Sequence, residues 1–565
     1  MEVIKGENLS DLYQISNPSD LNRYKMLKNM LKSKNREEDL ENIIKLMSPP
    51  EDINNIYPTG NEKDIKIAVI GAGEAGLSAA LELRKSGCNI TLFEASNRVG
   101  GRVYTYYFDR NKKHFGEFGP MDIPISHYTT WHYINLFNLK TSLSIKETDD
   151  SLIYIRGKRY FKNDENIEIL NSIYDEFNLK DEEKSKINQK NNEQICDKYF
   201  NYLSLEERKE LIEVKDKYLS RIEKIDKLTY RKAYEDLGFT EDLISMLGII
   251  NGDDQFFELS LTEILQQYYT LDSEISYYVK DGMIKLPLLL YEALIDDEKY
   301  PYKDIEKSKL GKVTIKMESP VEGIFNCEKN SKISLKYKDK ELKESKLEEF
   351  DYVICTVPFT SLKRIDINPI FNAKKMQAIN EMNYENSSKI YMYFKEKFWE
   401  REKEVKRIRG GRSFTDLPLV SLHYPSNILE ENEKSDKSGV QLASYSVGSK
   451  SMILGNEDYE LQINDAIRYL EKIYNMDSKY IIRNLIDYKS LIWSDVQYIW
   501  GAAAFSKPRY KTMFSHELTT PEMDNKLFFA GEHISQKHGT QQGALQSGMI
   551  AANNIAKIIR GENNL

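Results

Sequence analysis

The sequence predicts an α/β fold in which a parallel-sheet domain is interleaved with a mixed-sheet domain and carries a helical insertion. Three observations carry that reading. An apolar run, KIAVI at 66–70, passes at once into a glycine turn and then into LSAALELRKSG, whose apolar residues recur at helical spacing. NITLFE at 89–94 reads as a second buried strand, which completes a strand–helix–strand unit. Far along the chain, LFFAGE at 527–532 is another buried strand, followed by a helix from about 541 to 560, so both ends contribute to one domain.

The other elements follow in order. Residues 1–63 are polar and helix-prone, punctuated by Pro18, Pro49, Pro50 and Pro58, and read as a leader that packs on a later domain. Residues 160–240 are rich in Lys, Glu, Asp and Asn, with Leu211, Val214, Tyr218, Ile222 and Ile225 at helical spacing. Ser204 with Glu207 fits a capping box opening that helix. No heptad persists, which favours a helical insertion over a coiled coil. From 310 to 357 the pattern returns to strand: VTIKM and ISLKY alternate, and DYVICTVP is stopped by Pro358. KIYMYF at 389–394 is a further strand.

Composition narrows the function. The 565 residues carry a formal net charge of -9, which disfavours a nucleic-acid binder because phosphate binding needs a basic face. The basic run Lys403 to Arg412 reads as solvated loop. No run of about eighteen apolar residues occurs, so no membrane span is expected. The start, MEVIKGENLSDLYQ, has no signal-peptide character. Cys88, Cys196, Cys327 and Cys355 form no C-x-x-C pair, which argues against zinc or redox motifs and for reduced thiols in the cytoplasm. No metal site is expected.

Gly71, Gly73 and Gly76 form G-x-G-x-x-G between the first strand and the first helix, with Glu74 and Ala75 between the last two glycines. Gly71 permits the tight turn, Gly73 lets a pyrophosphate approach the backbone, and Gly76 lets helix and strand pack closely. The helix N-terminus offers unpaired N–H groups to phosphate. Glu94, 23 residues beyond Gly71 and followed by Ala95, ends the second strand and can accept hydrogen bonds from ribose hydroxyls. This makes the domain Rossmann-type. RVGGRVYTYYF at 98–108 adds a second glycine pair flanked by Arg98 and Arg102, a clamp suited to a long cofactor such as FAD rather than to NAD.

GAGEAGLSAA, FEASNRVGGRVYT and FFAGEH…HGTQQGALQSG resemble the flavin-dependent amine oxidase family, and within it the L-amino-acid oxidases. EFGPMDIP, GMIKLP at 282–287, and SSKIYMYFKEKFWE leading into GGRSFTDLPLVSLHYPS extend the likeness from residue 65 to 560. The resemblance implies noncovalent FAD, since no cysteine follows Cys355. It implies roles for Glu94 at the ribose, Arg102 at the pyrophosphate, Val321 at adenine, and Glu532 at the ribityl or phosphate. Gly119, Pro120 and Met121 would line the flavin, and Gly539, Thr540 and Gln541 would open a helix aimed at it. Lys389 matches a lysine that holds a water at flavin N5, and Tyr424 a tyrosine that donates to a substrate carboxylate. The implied reaction oxidises a small amine or amino acid with O2 to an imine and hydrogen peroxide, and the imine hydrolyses to a carbonyl and ammonia. Relatives often form homodimers.

Two positions depart from that pattern. Asp122 stands where the amino-acid oxidases have an arginine for the carboxylate, and Thr540 where they have a tryptophan. Asp122 would repel a carboxylate and favour a cation, unless another arginine takes over the clamp. An L-amino-acid oxidase with a relocated clamp, an amino-acid 2-monooxygenase and a flavin-binding protein without turnover remain as alternatives. His127 and His132 are candidates for a proton acceptor; His533 and His538 flank the flavin helix. The expected organisation is a leader at 1–63 packing on the substrate domain and an FAD-binding domain at 64–104, 277–357 and 522–565. Residues 105–150 and 358–521 would form the substrate-binding domain, and 151–276 the helical domain.

Overall fold

The computed structural model describes residues 14–58, 64–146, 148, 150–161, 167–187, 191–302, 304–327, 331–400, 408–425 and 437–562. Its centre is a five-stranded parallel sheet in the order Val313–Lys316, Asn89–Phe93, Lys66–Ile70, Tyr352–Cys355, Leu527–Phe529. Strands from both ends of the chain therefore pair in one sheet, as the sequence predicts. Alternation sets the two faces: Ile67 and Val69 join one core cluster, whereas Ala68 and Ile70 join another.

The helices Glu74–Lys85 and Gln541–Ile559 pack side by side on the first face. They approach closely because Gly548 sits on the other helix; a Cβ there would lie 2.2 Å from the Ala75 carbonyl oxygen. On the second face lies a four-stranded sheet, Ser345–Phe350, Lys332–Lys338, Val321–Cys327 and Asp366–Asn368 in that order.

A seven-stranded mixed sheet forms the second domain. Its order is Leu485–Ile492, Ser387–Phe394, Gly439–Val447, Ser421–His423, Arg412–Thr415, Leu152–Ile155, Lys158–Phe161. The last hairpin lies inside the span expected to be helical. Its alternating apolar residues Leu152, Tyr154 and Ile153, Ile155 pack into the sheet instead, so the helical region begins after it.

Helices then run from Ile167 to Tyr269 among the described residues. The capping box at Ser204 and Glu207 forms as expected. The helix it opens is shorter than the spacing predicts: it ends at Glu210 and a second begins at Ser220. The buried Glu210 carboxylate accepts from Leu219 N (2.7 Å) and Lys215 Nζ (2.6 Å), which fastens the chain in a turn between them.

The leader forms the helices Asp20–Ser33, Leu40–Met47 and Ile53–Ile56. It packs more widely than expected. Buried Arg36 donates to the Tyr268 and Tyr269 carbonyls of the helical region. The Met47 carbonyl accepts from Thr129 Oγ1 (3.0 Å) and from Gln542 Nε2 (2.8 Å), which ties the leader to the substrate domain and to the last helix. Among the described residues no helix is long and apolar enough to cross a membrane.

Gly76 is where strand and helix meet most tightly: a Cβ would fall 1.9 Å from the Gly71 oxygen. Gly76→Ala is therefore expected to lower stability by about 2 kcal/mol or more through forced backbone displacement, read as a fall in denaturation midpoint. An unchanged midpoint would show that the turn relaxes freely.

Candidate active site

A cavity of about 1090 Å³ runs from the glycine turn, between the domains, to the seven-stranded sheet. At one end Gly71 has φ +108°, and a Cβ there would meet Thr356 Oγ1 at 2.6 Å. The helix after it begins at Glu74 with Gly73 as N-cap and no side-chain cap, so its first N–H groups are available to an anion. The second glycine turn closes on the first: Gly100 N donates to the Ala72 carbonyl (2.8 Å), and a Cβ on Gly101 would lie 3.3 Å from Gly73 Cα. Arg98 holds this turn from behind through the Gly101 carbonyl (2.6 Å).

Glu94 stands at the end of its strand. Its carboxylate accepts from Ala72 N (2.8 Å), Ser96 N (2.8 Å) and Ser96 Oγ (2.7 Å). A carboxylate has about four acceptor sites, so capacity remains for a ribose hydroxyl. Ala95 and Val321 line the same end. Arg102 pairs with Glu532 and donates to the Ala502 carbonyl (3.1 Å), and Glu532 also accepts from Gly539 N (2.8 Å). These glycine turns, the uncapped N–H groups and the Glu94 carboxylate fit a flavin dinucleotide.

At the other end the strand Ser387–Phe394 presents Lys389. Its Nζ donates to the Glu117 carbonyl (2.9 Å) and the Gly119 carbonyl (2.7 Å) and lies 4.8 Å from the ring centre of Tyr445, its cross-strand neighbour. Burial pulls the Lys389 ammonium down to about 7, against the opposing pull of Glu117 and Asp122. Burial likewise pushes the Glu117 carboxyl up to about 7. Gly119, Pro120 and Met121 line the cavity next to them.

Asp122 lines the cavity too, half-buried, and its carboxylate makes no ion pair or hydrogen bond among the described residues. Its charge reaches Lys389, Lys146 and Tyr445. Arg412, assigned from the sequence to a solvated loop, lines the cavity beside it and donates through Nε to the Lys146 carbonyl (3.2 Å). Residues 401–407 of that basic stretch lie outside the described residues. Met121, Asp122, Lys146, Arg412 and Tyr445 also border a second cavity of about 280 Å³ behind this wall.

Tyr424 borders the smaller cavity together with Asp122 and Arg412. Its hydroxyl is committed to Ser413 Oγ (3.0 Å) and Tyr474 Oη (2.9 Å) in a buried cluster, and burial pushes it up to about 12. It reaches the smaller cavity but not the larger one. Tyr445 faces the larger cavity in its stead. Period-2 alternation in QLASYSV marks a strand, but only the cross-strand register reveals that Tyr445 lies opposite Lys389.

Thr540 lines the cavity, but its hydroxyl caps the last helix, accepting from Gly543 N (3.1 Å) and donating to the Lys537 carbonyl (2.7 Å). The polar wall expected there is thus partly used by the fold. Gln541 Nε2 donates to Glu74 Oε1 (2.6 Å) across the two helix starts. Of the histidines, His127 lies 3.3 Å from Asp272, which Lys537 also holds (2.6 Å). His538 pairs with Glu263 (2.8 Å), and His533 is buried and driven down to about 3. His132 does not reach the cavity.

Comparison with known proteins places this geometry. A family model for flavin containing amine oxidoreductases matches residues 75–556. An L-amino-acid oxidase of Siganus canaliculatus is 27% identical over 498 residues, spanning 87% of this chain and 85% of that protein. One of Crotalus adamanteus is 27% identical over 501 residues, 88% of this chain and 87% of that protein. Among solved structures, putrescine oxidase bound to putrescine aligns with a TM-score of 0.65 at 16% identity, covering 87% of this chain and 98% of that one. Cyclohexylamine oxidase from Brevibacterium oxydans IH-35A gives 0.65 at 16%, covering 88% and 100%. At that identity the likeness is one of fold.

Two outcomes test the placements. Tyr445→Phe is expected to lower turnover at least about tenfold, and Tyr424→Phe to change it less than about threefold while costing about 1–2 kcal/mol of stability through Ser413 and Tyr474. The reverse pattern in steady-state assays would refute the assignment. Lys389 binds its proton in the unfolded chain up to about 10.5 but in the fold only to about 7. Its burial therefore costs most below pH 7, and that cost fades as pH rises towards the unfolded value. The stability of Lys389→Met relative to the native protein should fall by roughly 2–3 kcal/mol between pH 6.5 and 9, measured by denaturant titration at both pH values.

Proposed function

The chain belongs to the flavin-containing amine oxidoreductase family, and on that footing we propose that it is an FAD-dependent oxidase of amine C–N bonds whose substrate is selected by the charge of Asp122. Bound FAD would supply two-electron oxidation of the substrate C–N bond, with O2 as the final acceptor and hydrogen peroxide as its product. The chain's own residues do the rest. Both glycine turns and the uncapped helix start hold the pyrophosphate, and Glu94 holds the ribose. Lys389 Nζ, poised near neutrality, can hold a water and move a proton beside the carbon being oxidised, which serves imine hydrolysis to carbonyl and ammonia. Asp122 attracts a cationic amine, and Tyr445 packs beside Lys389, its ring centre 4.8 Å from Nζ. Noncovalent attachment is supported by the burial of Cys355, the last cysteine, within the central sheet. The four free thiols support a reducing, cytoplasmic setting.

The observation that carries the reading is a carboxylate with no hydrogen bond or ion pair among the described residues, in the cavity wall beside Lys389. Putrescine and cyclohexylamine lack a carboxylate, whereas the curated relatives are L-amino-acid oxidases, so family membership alone leaves the choice open. A second reading rests on Arg412: with Tyr445 it would form a carboxylate clamp relocated from position 122.

Charge reversal separates the two. With peroxide release as readout, the native protein should oxidise tyramine, cadaverine or tryptamine at least about tenfold more efficiently than the matching amino acid, and Asp122→Arg should reverse that order. If the native protein prefers amino acids and Arg412→Met abolishes that preference, the relocated clamp is correct and the role given to Asp122 fails.

A further inference from the structure

Glu74 is a buried acid on the wall of the site that is otherwise arranged to receive negative charge. It opens the helix at the first glycine turn, is 5% exposed and borders the large cavity. Its one side-chain hydrogen-bond partner among the described residues is an amide, Gln541 Nε2, at 2.6 Å. The charged and titratable groups on the surrounding walls are engaged elsewhere. Glu94 is held by Ala72 and Ser96, Arg98 by the Gly101 carbonyl, and Arg102 by Glu532. His127 faces Asp272, and His538 faces Glu263. None of them offsets the burial of Glu74.

Gln541 supplies an independent sign. Its Oε1 is buried with no hydrogen-bond partner, although Nε2 is satisfied. An ionised Glu74 cannot help, because a carboxylate only accepts. A neutral acid can: its O–H donates to Oε1 once the amide turns, and the freed NH2 then points a donor elsewhere. Turning the amide exchanges its oxygen for its NH2 at the unpartnered position, so what the protonated state gains is the O–H···O bond itself, which an ionised Glu74 cannot make. The helix start favours an anion only modestly, less than burial disfavours it.

Building on the FAD reading above, we propose that Glu74 binds the cofactor as a neutral carboxylic acid, so that loading of the dinucleotide is coupled to a bound proton. A pyrophosphate brought to the same helix start adds negative charge near Glu74 and holds the proton more tightly still. By linkage, whatever raises proton affinity on binding must weaken binding when the proton is removed. Without cofactor, burial already pushes the Glu74 carboxyl up to about 8. FAD affinity should thus be flat below about pH 8 and weaken above it, approaching tenfold per pH unit.

The test uses the holoprotein. FAD retained after dilution is measured from pH 6.5 to 9.5 by the fluorescence of released flavin, for the native protein and for Glu74→Gln, which mimics the neutral acid permanently. The native Kd should rise at least about fivefold between pH 8 and 9.5, and the variant's should stay within about twofold. Lys389 titrates in both proteins, so its contribution cancels. If Glu74→Gln folds poorly, proton uptake on rebinding FAD to the native protein at pH 9, followed in weak buffer, decides the matter: about one proton per FAD supports the coupling, none overturns it. An equal pH slope in both proteins also overturns it. A protein that takes up no FAD at pH 7 overturns the flavin reading itself, and with it the coupling.

Discussion

The site depends first on two turns of backbone that touch without side chains between them. Gly73 and Gly101 approach so closely that a methyl group on Gly101 would press on the other's Cα at 3.3 Å. The Gly100–Ala72 hydrogen bond and the Arg98 guanidinium fix that approach. Its consequence is an N-terminal helix end with unpaired N–H groups facing a channel, and a carboxylate, Glu94, held by three donors at the channel's side. Position follows from backbone geometry here, and side chains only trim it.

The second half of the site is set by a different constraint, the burial of a lysine. Lys389 belongs to the seven-stranded sheet, yet its ammonium is satisfied by carbonyls of the 117–119 segment, which leads out of the dinucleotide-binding turns. That bridge brings the two domains to one cavity wall, and burial there lowers the lysine's proton affinity to about 7. Asp122 follows three residues after Gly119, so the same anchor that places the lysine also places the acid. Arg412 and Tyr445 arrive from the two strands of the sheet that flank Ser421–His423. The wall holds both signs of charge, and on the function proposed above the one that meets the substrate selects between amines and amino acids.

How much of this the sequence discloses varies with the range of the interaction. The glycine turn, the strands around it and the helix from 541 are legible because local patterns of period 2 and 3.6 specify them. That the Leu527–Phe529 strand belongs with the first domain is legible from its buried-strand pattern, but nothing local marks Tyr352–Cys355 as its partner. Tyr424 and Tyr445 show the limit most plainly. Both are tyrosines on short apolar runs, and only the register opposite Lys389 brings one to the larger cavity while the other borders the smaller. Arg412 was obscured in another way: a basic, glycine-rich stretch looks like solvated loop until the parallel pairing of Phe414 with Ile153 draws the strand into the sheet. The helix opened at Ser204 stops early because Glu210 finds a backbone partner at Leu219, a tertiary contact that periodicity does not encode.

The most direct measurement is anaerobic: mix the yellow holoprotein with tyramine and, separately, with tyrosine, and follow the flavin absorbance with time before and after admitting air. The account requires rapid bleaching by the amine, slow or no bleaching by the amino acid, and full recovery of colour in air. Fast bleaching by tyrosine with an inert response to tyramine would contradict it, and would move substrate recognition from Asp122 to Arg412 and Tyr445.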